Sequence, residues 1–250
     1  RIGYRGTSPC PGPSPRAFVE LHIEQGPVLE VEGVTIGAVT GVQGISWTEL
    51  TVTGESNHAG TTPMALRHDS GFAAASISTY VRELSIEMGG SQVATVGRLE
   101  LNPNLVNVVA GSAILTVDLR NTIEERLLEA ENKLADFLSE LGSSEGLKIE
   151  KRQLFRFEPV EFNQEVVNTV ENVASRMGHS VMQLPSGAGH DAQMMARVCP
   201  TGMVFVPSHK GISHNPQEHT DPDDLVAGCN VLFQTILELD ETDFGGAESE

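Results

Sequence analysis

The 250-residue sequence predicts an α/β protein in which one domain is interrupted by a smaller, ferredoxin-like domain with the order βαββαβ. Strand and helix patterns alternate along most of the chain, which favours a layered α/β fold. Between residues 45 and 155 the patterns run strand, helix, strand, strand, helix, strand, the order of the split βαβ unit. The flanking segments, 1–44 and 156–250, each carry one histidine motif. We therefore assign them to a single outer domain that contains the 45–155 domain as an insertion.

The first flanking segment is predicted to hold a loop and two strands. Residues 7–15 are rich in proline, which indicates an extended loop. Residues 17–24 alternate apolar and polar side chains, a pattern typical of a strand, and His22 lies near its end. Residues 34–42 predict a second short strand that runs into glycine turns.

The insertion is predicted to contain strands rich in β-branched residues and two amphipathic helices. A polar loop at 54–63 follows the first strand. Thr122 is predicted to cap the second helix and Gly142 to end it. Asn107 is placed on the strand next to the one that ends at Arg120. In chain order the elements are the strand 45–53, the helix 67–87, the strands 93–101, 106–109 and 113–120, the helix 122–141 and the strand 147–155.

The second flanking segment returns to an α/β pattern. A glycine-rich loop at 186–191 leads into a short helix, and a buried strand follows it. Asp221 is predicted to cap the last helix, with Pro222 at its first position and further acidic residues in its first turn. The acidic tail after that helix is predicted to fray. The predicted elements are a helix at 166–177, a short helix at 191–198, a strand at 202–207 and the last helix from 221 to about 239.

Charge and cysteine content exclude several kinds of partner. The formal net charge of −18 argues against nucleic-acid binding, because phosphate contacts need clustered Lys and Arg, and it disfavours anionic membranes. No apolar run reaches the roughly 20 residues that span a bilayer. The cysteines Cys10, Cys199 and Cys229 are odd in number and scattered, which indicates free thiols in a reducing compartment. A cytoplasmic protein is therefore predicted.

Two short strings carry the strongest chemical signal. Glu-Leu-His-Ile-Glu-Gln-Gly-Pro at 20–27 and Ile-Ser-His-Asn-Pro at 212–216 each place one histidine, His22 and His214, beside a turn. Neutral imidazole is the commonest protein ligand of zinc-like metals, although either residue could equally be a hydrogen-bonded loop histidine. A catalytic metal site needs about three protein ligands, and a two-metal site needs more. With few other candidates, the chain is predicted to be part of an enzyme.

Further residues suit contact with a substrate. His58 lies among small residues in the loop of the insertion, where it either approaches a ligand or is a surface histidine. Arg120 carries a guanidinium, which can bind a substrate carboxylate through two hydrogen bonds, although a salt bridge to a neighbouring acidic residue would account for an arginine here as well. Asn107 offers an amide to a substrate. His190 follows two glycines and could face a pocket, and Gln25 lies in the turn after the His22 strand.

Taken together, these strings resemble the group of N-carbamoyl-L-amino-acid hydrolases, allantoate amidohydrolases and ureidoglycolate amidohydrolases. This group belongs to the aminoacylase and zinc-carboxypeptidase-like superfamily. The resemblance covers essentially the whole chain. The motifs that carry it are Glu-Leu-His-Ile-Glu-Gln-Gly-Pro-Val-Leu-Glu, Gly-Glu-Ser-Asn-His-Ala-Gly-Thr-Thr-Pro-Met, Asn-Val-Val, Thr-Val-Asp-Leu-Arg, Ser-Gly-Ala-Gly-His-Asp-Ala and Ile-Ser-His-Asn-Pro, in this order.

The resemblance implies a two-metal aminopeptidase-like catalytic domain, formed by 1–44 and 156–250, and a dimerisation domain at 45–155. It implies two divalent ions per subunit, zinc, manganese, cobalt or nickel, with His22 and His214 as ligands. It also implies a homodimer in which His58, Asn107 and Arg120 of the insertion reach the active site of the partner subunit. His58 would polarise the scissile carbonyl or stabilise the oxyanion. The residues implied to bind a small ureido acid substrate are Gln25, His58, Asn107, Arg120, Gly189 and His190.

The implied reaction is metal-assisted hydrolysis of a ureido group, with a glutamate as general base. By the resemblance, that glutamate and the remaining metal ligands lie before Arg1. The 250-residue chain alone is therefore predicted to be inactive and to bind metal weakly. Two alternatives remain open. One is a peptidase or N-acyl amino-acid hydrolase of the same superfamily, and the other is a non-catalytic dimerisation module.

Overall fold

The computed structural model describes residues 15–242 and, outside that stretch, residues 3, 6, 7, 12 and 244. Cys10 and most of the predicted proline-rich loop lie outside the described residues. Cys199 and Cys229 are free thiols. In the described part of the chain, no helix has both the length and the apolar character needed to cross a membrane.

Eleven strands and six α-helices make up the described structure. The strands are β1 (Phe18–Ile23), β2 (Ile36–Val42), β3 (Gly44–Thr53), β4 (Asn57–His58), β5 (Val93–Asn102), β6 (Val108–Val109), β7 (Ser112–Asn121), β8 (Lys148–Phe157), β9 (Val160–Glu161), β10 (Val181–Ser186) and β11 (Thr201–Val206). The helices are α1 (Val28–Glu32), α2 (Ser70–Met88), α3 (Glu124–Glu145), α4 (Gln164–Arg176), α5 (Asp191–Met195) and α6 (Pro222–Glu241).

The chain divides into two compact units. The first contains Arg1–Val42 and Val160–Glu250, and the second contains Gln43–Pro159. Each unit has its own hydrophobic core. The mixture of helices and strands agrees with the predicted α/β class.

The first unit is built on a mixed sheet with the strand order β1-β11-β2-β10, and β9 also pairs with β2. β1 runs parallel to β11, so that His22 lies opposite Phe205. All six residues of β11 are buried, as is typical of a strand covered on both faces. The helices α4 and α6 contact this sheet. The edge strand β1, which carries His22, is therefore fixed by its pairing with the fully buried strand β11.

The last helix of this unit begins as predicted. The Asp221 side chain accepts a hydrogen bond from the Asp223 backbone N–H at 3.0 Å, and Pro222 occupies the first helical position. Proline costs nothing there, because the first-turn N–H groups have no partner within the helix. The helix runs to Glu241, two residues beyond the predicted end.

The second unit is a four-stranded antiparallel sheet with the order β5-β7-β3-β8 and two helices, α2 and α3. Along β7, Leu115, Val117 and Leu119 are buried in the core with residues of both helices. Because successive side chains alternate between the two faces, Asp118 and Arg120 point to the face opposite the helices. We call this the open face of the sheet. The short strands β4 and β6 form a separate two-stranded ribbon.

Three predictions in this unit are wrong in detail. Helix α3 passes through Gly142 and is capped at its C-terminal end by Gly146, whose φ of 64° is left-handed. Thr122 does not cap that helix, because its hydroxyl hydrogen-bonds to Ser91 Oγ at 2.7 Å. Asn107 is not on a strand beside β7; it precedes β6, which pairs with β4 instead.

Three elements of the first unit, the helix α1, the two-residue strand β9 and the strand β10, were not predicted. β10 contains Pro185, which lacks a ladder N–H, and the pairing with β2 shifts register between Leu184 and Ser186. Helix α1 has only five residues, too few to show a periodic pattern. Its start depends on the Glu24 side chain, which accepts from the Val28 and Leu29 backbone N–H groups.

Candidate active site

One cluster in the first unit joins a carboxylate with two imidazoles. Glu20 and His22 lie on the same face of β1, two residues apart. The loop between β10 and α5 brings His190 to them, across a sequence separation that no local pattern reveals. One ligand atom of each residue lies within 4.8 Å of the others. In the described structure this is the one group of three or more His, Cys, Asp or Glu side chains close enough to hold a metal ion.

His22 has the tautomer that a metal ligand needs. Its Nδ1 lies 2.8 Å from the carbonyl oxygen of Ile23. A carbonyl oxygen only accepts, so Nδ1 carries the proton and the lone pair is on Nε2. Metal-ligating histidines usually donate their other ring N–H in this way, which fixes the orientation of the ring.

His190 is held in its neutral form. Its ring centroid lies 4.7 Å from that of His22, and its Nε2 lies 2.7 Å from Ser186 Oγ. Burial, together with a smaller effect of the nearby His22 imidazole, lowers the pKa of His190 to about 4, and Asp191 acts in the opposite direction. The side chain is only 1% exposed. A neutral imidazole at physiological pH is the form that binds a cation.

This pKa predicts how stability depends on pH in the metal-free chain. The pKa of His190 is below its ordinary value of 6.5 in the folded state, so between pH 6.5 and 4 only the unfolded chain takes up this proton. The free energy of unfolding should therefore decrease as the pH is lowered from 6.5 to 4, and this group should contribute roughly 3 kcal/mol at most to the decrease. Urea unfolding of wild type and His190→Gln at several pH values measures it. Identical slopes in the two proteins would contradict the prediction.

Glu20 is fixed beside the two rings. Its Oε2 accepts a hydrogen bond of 2.7 Å from the Ala192 backbone N–H at the start of α5. Its Oε1 lies 3.7 Å from His190 Nδ1, which is longer than a hydrogen bond. One carboxylate and two imidazoles form a donor set suited to zinc and similar divalent ions, so the residues present fit a metal.

A second cluster joins the end of β1 to the His214 loop. The Gln25 backbone N–H donates to Ser208 Oγ, and its Nε2 donates to Ser213 Oγ, each at 2.9 Å. Gln25 and His214 have left-handed φ values of 58° and 54°, which are unusual for residues other than glycine. Such backbone strain is frequent at functional sites.

His214 itself is exposed, and its backbone N–H donates to Glu218 Oε2 at 3.0 Å. It does not belong to the cluster of Glu20, His22 and His190. The structure thus connects His214 to Gln25 through the neighbouring Ser213 and not to a set of metal donors within the described residues. Its role as a ligand stays a prediction.

In the second unit, the ribbon of β4 and β6 brings His58 and Asn107 together. His58 lies opposite Val108, and the Asn107 carbonyl accepts from the Ala59 backbone N–H at 3.0 Å. His58 Nδ1 accepts from the backbone N–H groups of Gly60 and Thr61 at 3.1 and 3.2 Å. Because those groups only donate, a neutral His58 carries its proton on Nε2 and presents a donor to solvent.

Arg120 lies at the other end of this unit. It pairs with Ile45 and Val93, whereas the β7 residue nearest the ribbon is Ser112, eight positions earlier. At about 3.3 Å per residue this separation is about 26 Å. The Arg120 guanidinium binds Asp118, with the Nη2 to Oδ2 distance at 2.6 Å. The ion pair that the sequence allowed is therefore present, and Arg120 does not join His58 and Asn107 within one subunit.

The sequence model of peptidase family M20/M25/M40 matches residues 7–238. The chain belongs to this family. The solved structure of an amidase of the hydantoinase/carbamoylase family from Burkholderia multivorans matches with a TM-score of 0.89 and 41% identity, over 91% of this chain and 56% of that one.

Relatives of this M20/M25/M40 chain are amidohydrolases that act on C–N bonds. It is 41% identical over 225 residues to the N-carbamoyl-L-amino-acid amidohydrolase of Paenarthrobacter aurescens, covering 90% of this chain and 55% of that protein. It is also 41% identical over 224 residues to the allantoate amidohydrolase of Escherichia coli K12, covering 90% and 54%. The resemblance predicted from the motifs is confirmed. The chain spans about half the length of these relatives.

The glycine-rich loop of this M20/M25/M40 chain shows what the sequence could and could not reveal. A Cβ on Gly189 would lie 3.8 Å from Gln193 Oε1, an ordinary contact, so the structure gives no steric reason for glycine there. Ser186 is the first residue of the predicted glycine-rich loop, but its hydrogen bond to His190 could not be predicted from the sequence. Gln193 gave no signal, yet it is buried and its Nε2 has no partner among the described residues.

Glu24 has a structural role that sequence analysis missed. It is buried, and its two carboxylate oxygens accept from the Val28 and Leu29 backbone N–H groups, each at 2.8 Å. Glu24→Ala leaves these N–H groups unpaired, and we expect the free energy of unfolding to fall by about 1–3 kcal/mol. Urea unfolding measures it. Glu32→Ala, at an exposed position of the same helix, is the control and should change stability by less than about 0.5 kcal/mol. Equal effects of the two substitutions would contradict the capping role.

Proposed function

We propose that this chain forms part of a metal-dependent amidohydrolase that cleaves the ureido C–N bond of N-carbamoyl amino acids or related ureido acids such as allantoate. The observation that supports this best is the cluster of Glu20, His22 and His190, with the His22 lone pair on Nε2. The names of the relatives support the ureido substrate class.

The proposed metal chemistry rests on this donor set. A bound divalent ion would supply Lewis acidity and would lower the pKa of a bound water molecule to about 7. His22 would hold the ion through Nε2, with Glu20 and His190 beside it. Zinc, manganese, cobalt and nickel all suit histidine and carboxylate donors, and availability selects among them. We propose two ions per subunit, with His214 as a ligand of the second.

His58, Asn107 and Arg120 would act on the substrate itself. The Nε2–H of His58 is a donor suited to the oxyanion that develops on the ureido carbonyl. The Asn107 amide and the Arg120 guanidinium would bind the substrate carboxylate. Gln25, Gly189 and His190, which belong to the first unit, are proposed as further substrate-binding residues.

The length of the sheet supports a homodimer. About 26 Å along β7 separates Arg120 from Ser112, the end of that strand nearest the ribbon that carries His58 and Asn107, and this is farther than one small ureido acid extends. We therefore propose that each active site takes Arg120 from one subunit and His58 with Asn107 from the other. The second unit, with its βαββαβ order, would be the ferredoxin-like dimerisation domain inserted into the catalytic domain.

The 250-residue chain alone is proposed to be inactive. Its described residues assemble one group of three donors, whereas a two-metal site needs more ligands than these. The single group predicts weak binding of one ion. Full ureido hydrolysis by the isolated 250-residue chain would contradict this proposal.

The matched family is a peptidase family, so peptide hydrolysis is the alternative function. Ammonia release from N-carbamoyl-L-leucine and allantoate, and leucine release from glycyl-L-leucine, distinguish the two in the full gene product. We expect ammonia release that stops on chelation and returns with a divalent ion. Activity on the dipeptide alone would support the peptidase, and activity that chelation leaves unchanged would contradict the metal. No hydrolysis of any of these substrates would favour a non-catalytic dimerisation module.

A further inference from the structure

An aromatic pair lies on the open face of the second unit. Trp47 in β3 lies directly opposite Asp118 in β7 and Phe155 in β8. The Trp47 and Phe155 ring centroids are 5.4 Å apart, and the Phe155 ring is stacked on Phe157 at 5.0 Å. Because the Asp118 side chain points away from the helices, its cross-strand neighbour Trp47 does so as well.

This pair is accessible although it is apolar. Trp47 is 39% exposed and Phe155 is 40% exposed. Large aromatic side chains contribute more than other residues to binding sites, since they offer much rigid apolar area and lose little entropy when covered. Adjacent aromatic rings at this exposure form a surface on which a small apolar group can pack.

A charged group lies beside the aromatic pair. Arg120 is two positions from Asp118 on β7 and is therefore the diagonal neighbour of Trp47, at about 7–8 Å. Asp118 binds the Arg120 guanidinium and fixes it on the open face. A cation and an apolar surface at this spacing complement a small molecule that has a carboxylate and an apolar side chain on neighbouring atoms.

We propose that Trp47 and Phe155 form the subsite for the side chain of the ureido acid whose carboxylate Arg120 binds. This inference rests on the proposed function and narrows its substrate class. N-carbamoyl amino acids with aliphatic or aromatic side chains are then preferred over N-carbamoylglycine, which has no side chain. Allantoate, with only polar substituents, gains nothing from the subsite.

Trp47 is the single tryptophan of the chain, so its fluorescence reports on this subsite alone. The 250-residue chain is titrated with N-carbamoyl-L-leucine, with N-carbamoylglycine and with N-carbamoyl-L-leucinamide, which lacks the carboxylate. We expect a saturable change with the leucine compound and affinity at least about tenfold lower for the glycine compound, as the loss of an apolar side chain predicts. The amide should bind more weakly than the acid.

Variants separate the subsite from the carboxylate site. Phe155→Ala should remove most of the preference for leucine over glycine, whereas Leu154→Ala, at an equally exposed apolar neighbour, should preserve it. Arg120→Gln should weaken both acids and leave the amide unchanged. Isothermal titration gives the affinities independently of fluorescence, and circular dichroism checks that each variant is folded.

The outcomes are distinguishable. Equal affinities of wild type for the leucine and glycine compounds would overturn the subsite, and so would a preference that survives Phe155→Ala. Absence of any saturable binding would also overturn it, because the subsite lies within this unit. Arg120→Gln without effect on N-carbamoylglycine would instead contradict the carboxylate role in the proposed function. Whether the full gene product hydrolyses ureido compounds is tested separately by the ammonia assay.

Discussion

His22→Ala in the full gene product is expected to reduce ureido hydrolysis by more than the roughly 10–100-fold that changes outside the ligand shell cost. The His22 side chain presents the Nε2 lone pair because its Nδ1–H donates to the Ile23 carbonyl. Alanine removes that lone pair, and the neighbouring Glu20 and His190 cannot replace it, since both already belong to the same cluster. Steady-state kcat/KM and metal content per chain measure the effect.

His179→Ala is the matched control for this substitution. His179 follows α4 in the same unit and lies outside the donor cluster, so its replacement should leave metal content and kcat/KM close to wild type. A His22→Ala protein that retains both its metal and its activity would show that His22 is not a ligand.

His58→Ala is expected to lower kcat by about 10²–10³, with little change in KM, as the loss of one oxyanion donor does. The Gly60 and Thr61 N–H groups fix the His58 proton on Nε2, which gives the donor its direction. The effect should appear in kcat because the oxyanion develops only in the transition state. His58→Gln offers an amide N–H in place of the imidazole and should recover part of the rate. An increase in KM at unchanged kcat would contradict this role.

Co-expression of two variants tests whether His58 acts across subunits. A heterodimer of His22→Ala and His58→Ala subunits contains one intact site if His58 serves the partner, and none if it serves its own subunit. A random mixture should therefore recover roughly a quarter of wild-type activity, although each variant alone is inactive. No recovery would contradict the shared site while leaving the metal site intact.

Most helices and strands of both units were predictable because their sequence signals are local. The Asp221-Pro222 start of α6 and the alternation along β7 each depend on residues a few positions apart. Gly142 was wrongly predicted to end α3 because a glycine ends a helix where its backbone is left-handed, and the residue with that conformation is Gly146. β10 was missed because Pro185 interrupts its pattern.

The site was predictable in its residue types and not in its grouping. Sequence patterns selected His22, and Glu20 lies two residues before it on the same strand, but His190 is brought to them by the loop between β10 and α5, which is a tertiary contact. The distance between Arg120 and His58 depends on which strands pair, and the short strand β6 paired with β4 instead of β7. The binding of Arg120 to Asp118, two residues away, was one of the two alternatives that the sequence allowed.

The most direct measurement is X-ray absorption at the zinc edge for the zinc-loaded full gene product and its His22→Ala variant. We expect imidazole nitrogens at about 2.0–2.1 Å from the ion, with one imidazole fewer in the variant. The same imidazole count in both proteins would show that His22 is not bound to the metal, and a site without imidazole would contradict the proposed donor set as a whole.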